Sequence, residues 1–437
     1  MAHEILFLLL YLGLLPTVFV SPFAGILIYK WLEDLPPAEI YSEFLLPDNL
    51  SLITAALTFF VWLFKEQKTL PRPRVLIFTL IALLVWVNFT SLFALVPDAA
   101  AVKWDRTVKV IAFAVLTTQM LSTRARLEGF VWVFVLSVCY FAVPGAIKTI
   151  VSGGAGGVGS GEVVVAAAGS FFGDRVIFSV VLAMTLPFAL YLGRRATLLP
   201  PSRWLKPGML GVTAASLIAL IGTYARTALI AGAATLLMLI IKSPRRARGA
   251  MIVATVGLAL LAVAPESWFA RMNTTVNFEQ DASAESRIRA WNWAWQVALA
   301  RPIVGGGFRV FVLDTEEVGG TKYTEAHNIF FETLAEHGFV GLSLFCFLLI
   351  GTYRSCRTVV VRVRDDEEFG WAVDLARTIQ VGLVAYVAGG MFVSIATSPF
   401  LYDLVALAIG LRSVVEREQK TATSKPVHRA LVALPAK

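Results

Sequence analysis

The sequence predicts an all-α polytopic membrane protein of about twelve transmembrane helices, with one large external loop that carries an amphipathic helix. Three observations predict it. The 437 residues are 57% apolar and only 16% charged, whereas a soluble domain is nearer half apolar and a quarter charged. The apolar residues fall in blocks of roughly 17 to 25, each long enough to cross a hydrocarbon core about 30 Å thick as a helix. Basic residues collect in every second connecting loop, as the positive-inside rule expects of a chain that threads back and forth.

In order, the spans read 5–31, 49–64, 75–96, 105–121, 127–150, 172–192, 207–222, 224–241, 249–264, 328–351, 371–394 and 396–413. The first contains Pro16 and Pro22, so it is kinked or split, and a split raises the count to thirteen. The N-terminus lacks a basic segment and a cleavage site, and reads as a retained span. Loops 65–74, 122–126, 193–206, 242–248 and 353–364 are basic; loops 32–48, 97–104, 151–171 and 265–327 are acidic or nearly uncharged. One alternating topology satisfies them all and puts both termini on the cytoplasmic side. The chain divides into an N-terminal bundle (1–264), an external loop (265–327), C-terminal spans (328–413) and a cytoplasmic tail (414–437).

Several functions are excluded. The net charge of +8 sits in short loops and not on a soluble basic face, so no nucleic-acid partner is expected. Cys139 and Cys346 lie within apolar runs and Cys356 just after one, with no CxxC, which argues against disulfides and thiolate metal sites. GGAGGVGSG (153–161) fits G-x-G-x-x-G, but a membrane span precedes it and it falls on the external side, so it reads as a flexible loop. No repeat of 20 to 50 residues and no inverted repeat stands out, which weighs against a transporter.

The long loop contains SAESRIRAWNWAWQVALA (283–300), with Ile288, Trp291, Trp295 and Leu299 at helical spacing and Ser283 among the candidate N-caps. A Trp-rich helix of this kind suits the membrane interface. ARPIVGGGFRVF (300–311) then turns on Pro302 and three glycines.

Polar residues at membrane depth are the functional candidates. Arg226, in GTYARTALIAG, stands at the outer mouth of two spans, where it binds a ligand or snorkels to the interface. Arg287 and Arg289 lie on the loop helix, as an anion site or as a solvated face; guanidinium forks match phosphate oxygens. His327 opens a span with Asn328 beside it, as a structural group or a general base. Asn328 is grouped with the substrate-binding candidates. His337 is ten residues on, about 280° around a helix, and precedes Gly338, which looks like a helix break; its role reads as structural. Asp174-Arg175 and Asp403 are further polar groups, Asp403 orienting a base or acceptor or pairing with an arginine. The two histidines lack metal spacing, and no metal or cofactor is expected. Two arginine sites and one histidine on the external face suggest a lipid-linked anion as ligand.

ESRIRAWNWAWQVALARPIVGGGFRVF, EAHNIFFETLAEHGFVGLSLF (325–345) and YARTALIAG together resemble the O-antigen ligase and polymerase superfamily, nearest to the exosortase-associated O-glycosylation ligases. The resemblance covers 283–345 and 223–232, with weaker support from GDRVIFSVVLAMTLPFALYL (173–192). It implies a GT-C-like fold in the bacterial inner membrane with its active site on the periplasmic side. It implies metal-independent transfer of a preassembled glycan from undecaprenyl diphosphate to an acceptor hydroxyl on lipid A-core, another glycan or a protein. By matching position, Arg226 and Arg287 would hold the diphosphate and His327 would activate the acceptor, with Arg289 secondary. A polymerase acting on the same lipid carrier is the alternative.

Overall fold

The computed structural model describes residues 2–40, 49–66, 68–152, 173–200, 202–243, 245–263, 282–313 and 325–432. All regular elements there are helical. The glycine-rich stretch 153–161 and the loop segments 264–281 and 314–324 lie outside the described residues.

The chain opens with α1 (Ala2–Leu14), α2 (Thr17–Val20), α3 (Pro22–Asp34) and the single turn α4 (Pro37–Ile40). There follow α5 (Leu50–Lys65), α6 (Arg74–Ser91), α7 (Pro97–Met120), α8 (Arg124–Val151), α9 (Arg175–Arg195), α10 (Leu205–Gly222), α11 (Arg226–Lys242) and α12 (Arg246–Val263). The helix of the long loop is α13 (Ala282–Ala300), and α14 (Ile329–Val363), α15 (Gly370–Gly390) and α16 (Pro399–Val432) complete the bundle. Among the described residues, six helices are long and apolar enough to cross a membrane: α6, α8, α9, α10, α14 and the stretch Glu367–Gly390 that contains α15. Glu4–Val20 and α5 are shorter apolar helices. α7 carries Asp98, Lys103, Asp105 and Arg106 in its first half and Lys109 just beyond, and α11 has only 17 residues.

The first expected span is not one passage. Phe7 packs on Trp31 with ring centroids 4.8 Å apart, and the Tyr11 hydroxyl reaches Thr54 (3.1 Å) and the Leu50 carbonyl (3.4 Å). At the other end, Lys65 donates to the Phe19 carbonyl. So α1 runs along α5 from the Leu50 end to the Lys65 end, and α3 returns beside it. Pro16 and Pro22 cause the reversal: each lacks an N–H, and Pro22 occupies the first turn of α3, where none is needed. Phe7, Tyr11, Val18, Ile28, Leu32, Leu50 and Val61 form a separate small core around the hairpin.

This arrangement corrects the expected topology of the termini. The start of α1 and the end of α3 share one end of the bundle. Asp403, one turn into α16, is 2.7 Å from Lys30 near the end of α3, so α16 begins at that same end. It then runs away, since Ser413 bonds Arg72 and Arg417 bonds Ser122 at the opposite end. The two described chain ends therefore lie at opposite ends of the bundle, not on one side.

α9 is the centre. From Phe178 to Ala189 its side chains are buried without interruption, because α8, α10, α11 and α15 all pack on it. A helix that is apolar all round belongs in such a position. Close approach of α15 depends on Gly389, where a Cβ would come within 2.3 Å of Val180. Threonines inside the bundle return their hydroxyls to the backbone, as Thr185 does to the Val181 carbonyl (2.8 Å), so they leave no unmet donor in an apolar interior. The ends of α11, α14, α15 and α16 at residues 226, 328, 390 and 399 lie at one end of the bundle, and the candidate site lies there.

Candidate active site at one end of the bundle

His327 is held by its neighbours. Asn328 caps α14: its Oδ1 accepts from the N–H groups of Phe330 (2.9 Å) and Phe331 (3.3 Å). Its Nδ2 donates to the Met391 carbonyl (3.2 Å), tying the helix start to the turn after α15. The His327 N–H donates to Ser394 Oγ in that same turn (3.0 Å). Trp291 Nε1 donates to the carbonyl of Ala326 (2.7 Å), and its ring stacks on Phe331 at 5.3 Å and 9°. Between these ties His327 has φ +45°, in the left-handed region. Histidine tolerates that region better than most residues, but the conformation still costs about 1–2 kcal/mol and persists because the surroundings impose it. The backbone thus presents a half-buried imidazole in one defined direction.

Eleven residues on, at Gly338, α14 breaks. Gly338 has φ 68° and ψ −171°, a region essentially closed to other residues. The break frees the carbonyls of Ala335 and Glu336, and the glycine turn takes them: Gly306 N–H donates to Ala335 (2.8 Å) and Gly307 N–H to Glu336 (2.9 Å). In return Phe339 N–H donates to the Pro302 carbonyl (2.8 Å). The Pro-x-x-Gly-x-Gly segment and Gly338 are two halves of one joint. Glycines are required there by contact as well, since a Cβ on Gly307 would lie 2.5 Å from Ala94 and one on Gly338 2.3 Å from the Ile303 carbonyl. His337 is built into this joint: its Nδ1 is 2.8 Å from Thr90 Oγ1, its carbonyl accepts from Trp86 Nε1 (3.0 Å), and its ring meets Phe308 edge-on at 4.5 Å.

α13 has two faces, and they separate the two loop arginines. Ala290, Ala294 and Ala298 are fully buried, packed with Val310, Phe311 and Ala335. Ile288, Trp295 and Leu299, three of the four residues of the expected apolar face, are exposed at 44, 48 and 60%. The helix therefore docks through small residues and turns its bulky apolar side outward, as an interfacial helix would. At about 100° per residue, Arg287 stands in line with Ala294 and Ala298 on the docking face, whereas Arg289 lies about 160° from that line. Arg287 is also one turn ahead of Trp291, in the direction of His327.

Arg226 is the first residue of α11, after a turn in which Tyr224 has φ 50°. α11 packs on α9 and α15, which sets Arg226 at the end where α15 finishes and α14 begins. Asp403 goes elsewhere. Its partner is Lys30 (2.7 Å), which also bonds Asp34 (2.7 Å) and Glu33 (3.5 Å). The partner is a lysine 373 positions earlier, not an arginine, and the cluster joins α3 to α16. Asp174 caps α9 through the N–H groups of Val176 and Ile177.

Sequence reasoning missed a buried charge cluster beside His327. Lys103 Nζ is 2.7 Å from Glu332 Oε1 and 2.8 Å from both oxygens of Glu336. Glu332 also accepts from Ala396 N–H (3.1 Å) and Glu336 from Arg309 N–H (2.9 Å). Four segments thus meet on two carboxylates. They border a cavity of about 110 Å³, also lined by Glu325, Ala326, Ser394 and Thr397. The available signal was two glutamates four apart within an apolar run, which share a helix face and are expensive in a membrane unless partnered.

The molecule is thus a helical protein with several helices long and apolar enough to cross a membrane, and polar side chains gather where helix ends converge with α13. Residues 211–346, a little under a third of the chain, match the model of the O-antigen ligase family. Residues 2–197 match a family of unknown function. No curated protein matches the chain. Arg226, Arg287, Arg289, His327 and Asn328 fall inside the segment matched to the O-antigen ligase family and Asp403 falls outside it.

Proposed function

We propose that this protein is a metal-independent glycosyltransferase of the ligase type. It transfers a preassembled glycan from undecaprenyl diphosphate to an acceptor hydroxyl, such as one on lipid A-core, at the periplasmic face of the bacterial inner membrane. The observation that carries this reading is that Arg226, Arg287 and His327 lie in the segment that matches the O-antigen ligase family and at one end of the bundle. In the reaction, the acceptor oxygen attacks the anomeric carbon and the bond from that carbon to the diphosphate breaks. His327 takes the hydroxyl proton, and undecaprenyl diphosphate leaves. Arg226 and Arg287 stabilise the charge that develops on the leaving group, where fixed donors contribute most. Asn328 holds the start of α14 and so the direction of the imidazole.

Deletion of the gene in its own bacterium, followed by gel analysis of glycans and of the lipid-linked pool, tests the reading. Long polymer stranded on the undecaprenyl carrier, with none on the acceptor, is expected of a ligase. Loss of long polymer with single repeat units persisting identifies a polymerase. Unchanged glycans overturn the assignment.

A further inference from the structure

We propose that the cavity beside Lys103, Glu332 and Glu336 is the subsite for the sugar ring that carries the acceptor hydroxyl, and that it selects a neutral or amino sugar over an acidic one. The inference rests on the ligase reading.

Position is the first argument. Glu325 and Ala326 line the cavity and immediately precede His327, and Ser394, which accepts the His327 N–H, lines it too. A ring seated there brings its hydroxyl next to the imidazole. Size is the second. The volume of about 110 Å³ compares with the roughly 150 Å³ of an apolar cavity that encloses a benzene ring, so a six-membered ring enters with one edge outside.

Chemistry is the third. A sugar hydroxyl both donates and accepts. Carboxylates only accept, and ammonium and guanidinium groups only donate. The wall offers both kinds: Glu325, Glu332 and Glu336 on one side of the ledger, Lys103 and Arg309 on the other. A carboxylate has about four acceptor sites, and Glu332 uses two of them within the protein, so it retains capacity for hydroxyls. Both cations of the wall are already engaged by carboxylates, Lys103 by Glu332 and Glu336 and Arg309 by Glu325 at 3.8 Å. A uronate or a sugar phosphate would have to compete for them, whereas an ammonium-bearing sugar meets carboxylate oxygens with acceptor capacity to spare. An ion cluster needed only for packing would close on itself, whereas this one borders open space next to His327.

The test uses the full chain in lipid nanodiscs and three free sugars, glucose, glucosamine and glucuronate, observed by saturation-transfer NMR. Glucose and glucosamine are expected to receive saturation and glucuronate little. Thr397→Phe, which fills the cavity and leaves every charged residue of its wall unsubstituted, is expected to abolish the signals. Glu332→Gln, which removes one of the carboxylates that engage Lys103, is expected to raise the glucuronate signal. Glucuronate equal to glucose in the unsubstituted protein, or signals unaltered by Thr397→Phe, overturns the proposal. In a transfer assay Thr397→Phe is expected to raise the acceptor KM about tenfold or more, the equivalent of one or two lost hydrogen bonds, with the donor KM unchanged. Transfer with an unaltered acceptor KM sinks the subsite and leaves the ligase reading intact. Sugar binding that Thr397→Phe abolishes, in a protein whose deletion alters no glycan, does the reverse.

Discussion

Replacing Gly338 by alanine should cost more than any substitution of a surface glycine. At φ 68° and ψ −171° a Cβ is strained, at about 1–3 kcal/mol. The new methyl would also lie 2.3 Å from the Ile303 carbonyl and 2.7 Å from that of Pro302, both backbone atoms that cannot swing aside. Relief requires the glycine turn to withdraw. That breaks the three hydrogen bonds from Gly306, Gly307 and Phe339, worth about 0.5–1.5 kcal/mol each. The sum is roughly 3–8 kcal/mol, against a total stability of about 5–15 kcal/mol for an ordinary domain. The assay is thermal unfolding in detergent, followed by tryptophan fluorescence and gel filtration. Gly208→Ala serves as control, since a Cβ there meets nothing within 4 Å and alanine favours the helix. The expected result is loss of most folded Gly338→Ala protein and none of Gly208→Ala. Equal melting temperatures for the two would refute the joint between α14 and the glycine turn.

His327→Ala should lower transfer by about 10² to 10⁴-fold, the usual worth of a positioned general base, with the protein still folded. His327→Asn is the cleaner variant, because asparagine tolerates the φ of +45° that alanine resists; full transfer by both would remove His327 as the base. Arg287→Ala should reduce transfer more than Arg289→Ala, given the face of α13 each occupies, and the reverse order in a transfer assay would mean the wrong arginine has been chosen. Glu416 is pushed up by burial, but its hydrogen bond and ion pair with Arg412, with Arg72 and Arg362 adding to them, outweigh this and hold its carboxyl below its ordinary 4.5. Its stabilising contribution is therefore complete above that value and lost as pH falls through the lower folded-state pKa. Glu416→Gln should flatten the acid side of the melting temperature–pH curve, and an unchanged acid side would count against the pairing.

Much of the framework was legible because the membrane imposes it. A block of about 20 apolar residues is a helix whichever partners it finds, so α6, α8, α9, α10 and α14 could be read locally. Gly338 was legible for a similar reason, since a His-Gly pair inside an apolar run leaves few roles for the glycine. The hairpin of α1 and α3 was not. Two prolines announce a break, but only the packing of Phe7 on Trp31 shows that the chain reverses. Lys103 escaped notice because its carboxylates lie 229 and 233 positions away, and no local pattern encodes that neutralisation. The docking face of α13 escaped notice because Ile288, Trp295 and Leu299 mark the opposite, exposed side. The protein instead docks alanines, which allow the close approach that Trp and Ile would prevent.

The attachment of α13 has a consequence for timing. Trp291 secures one part of it to the residue before His327, and Pro302, Gly306 and Gly307 secure the chain beyond it to the break in α14. A rod bolted at two points to the same beam has no independent swing. The separation between the Arg287 backbone and that of His327 is then settled when the protein folds, before any substrate arrives. Binding has no need to assemble that pair, and the ordering of the two groups is not deducted from the affinity for the glycan carrier.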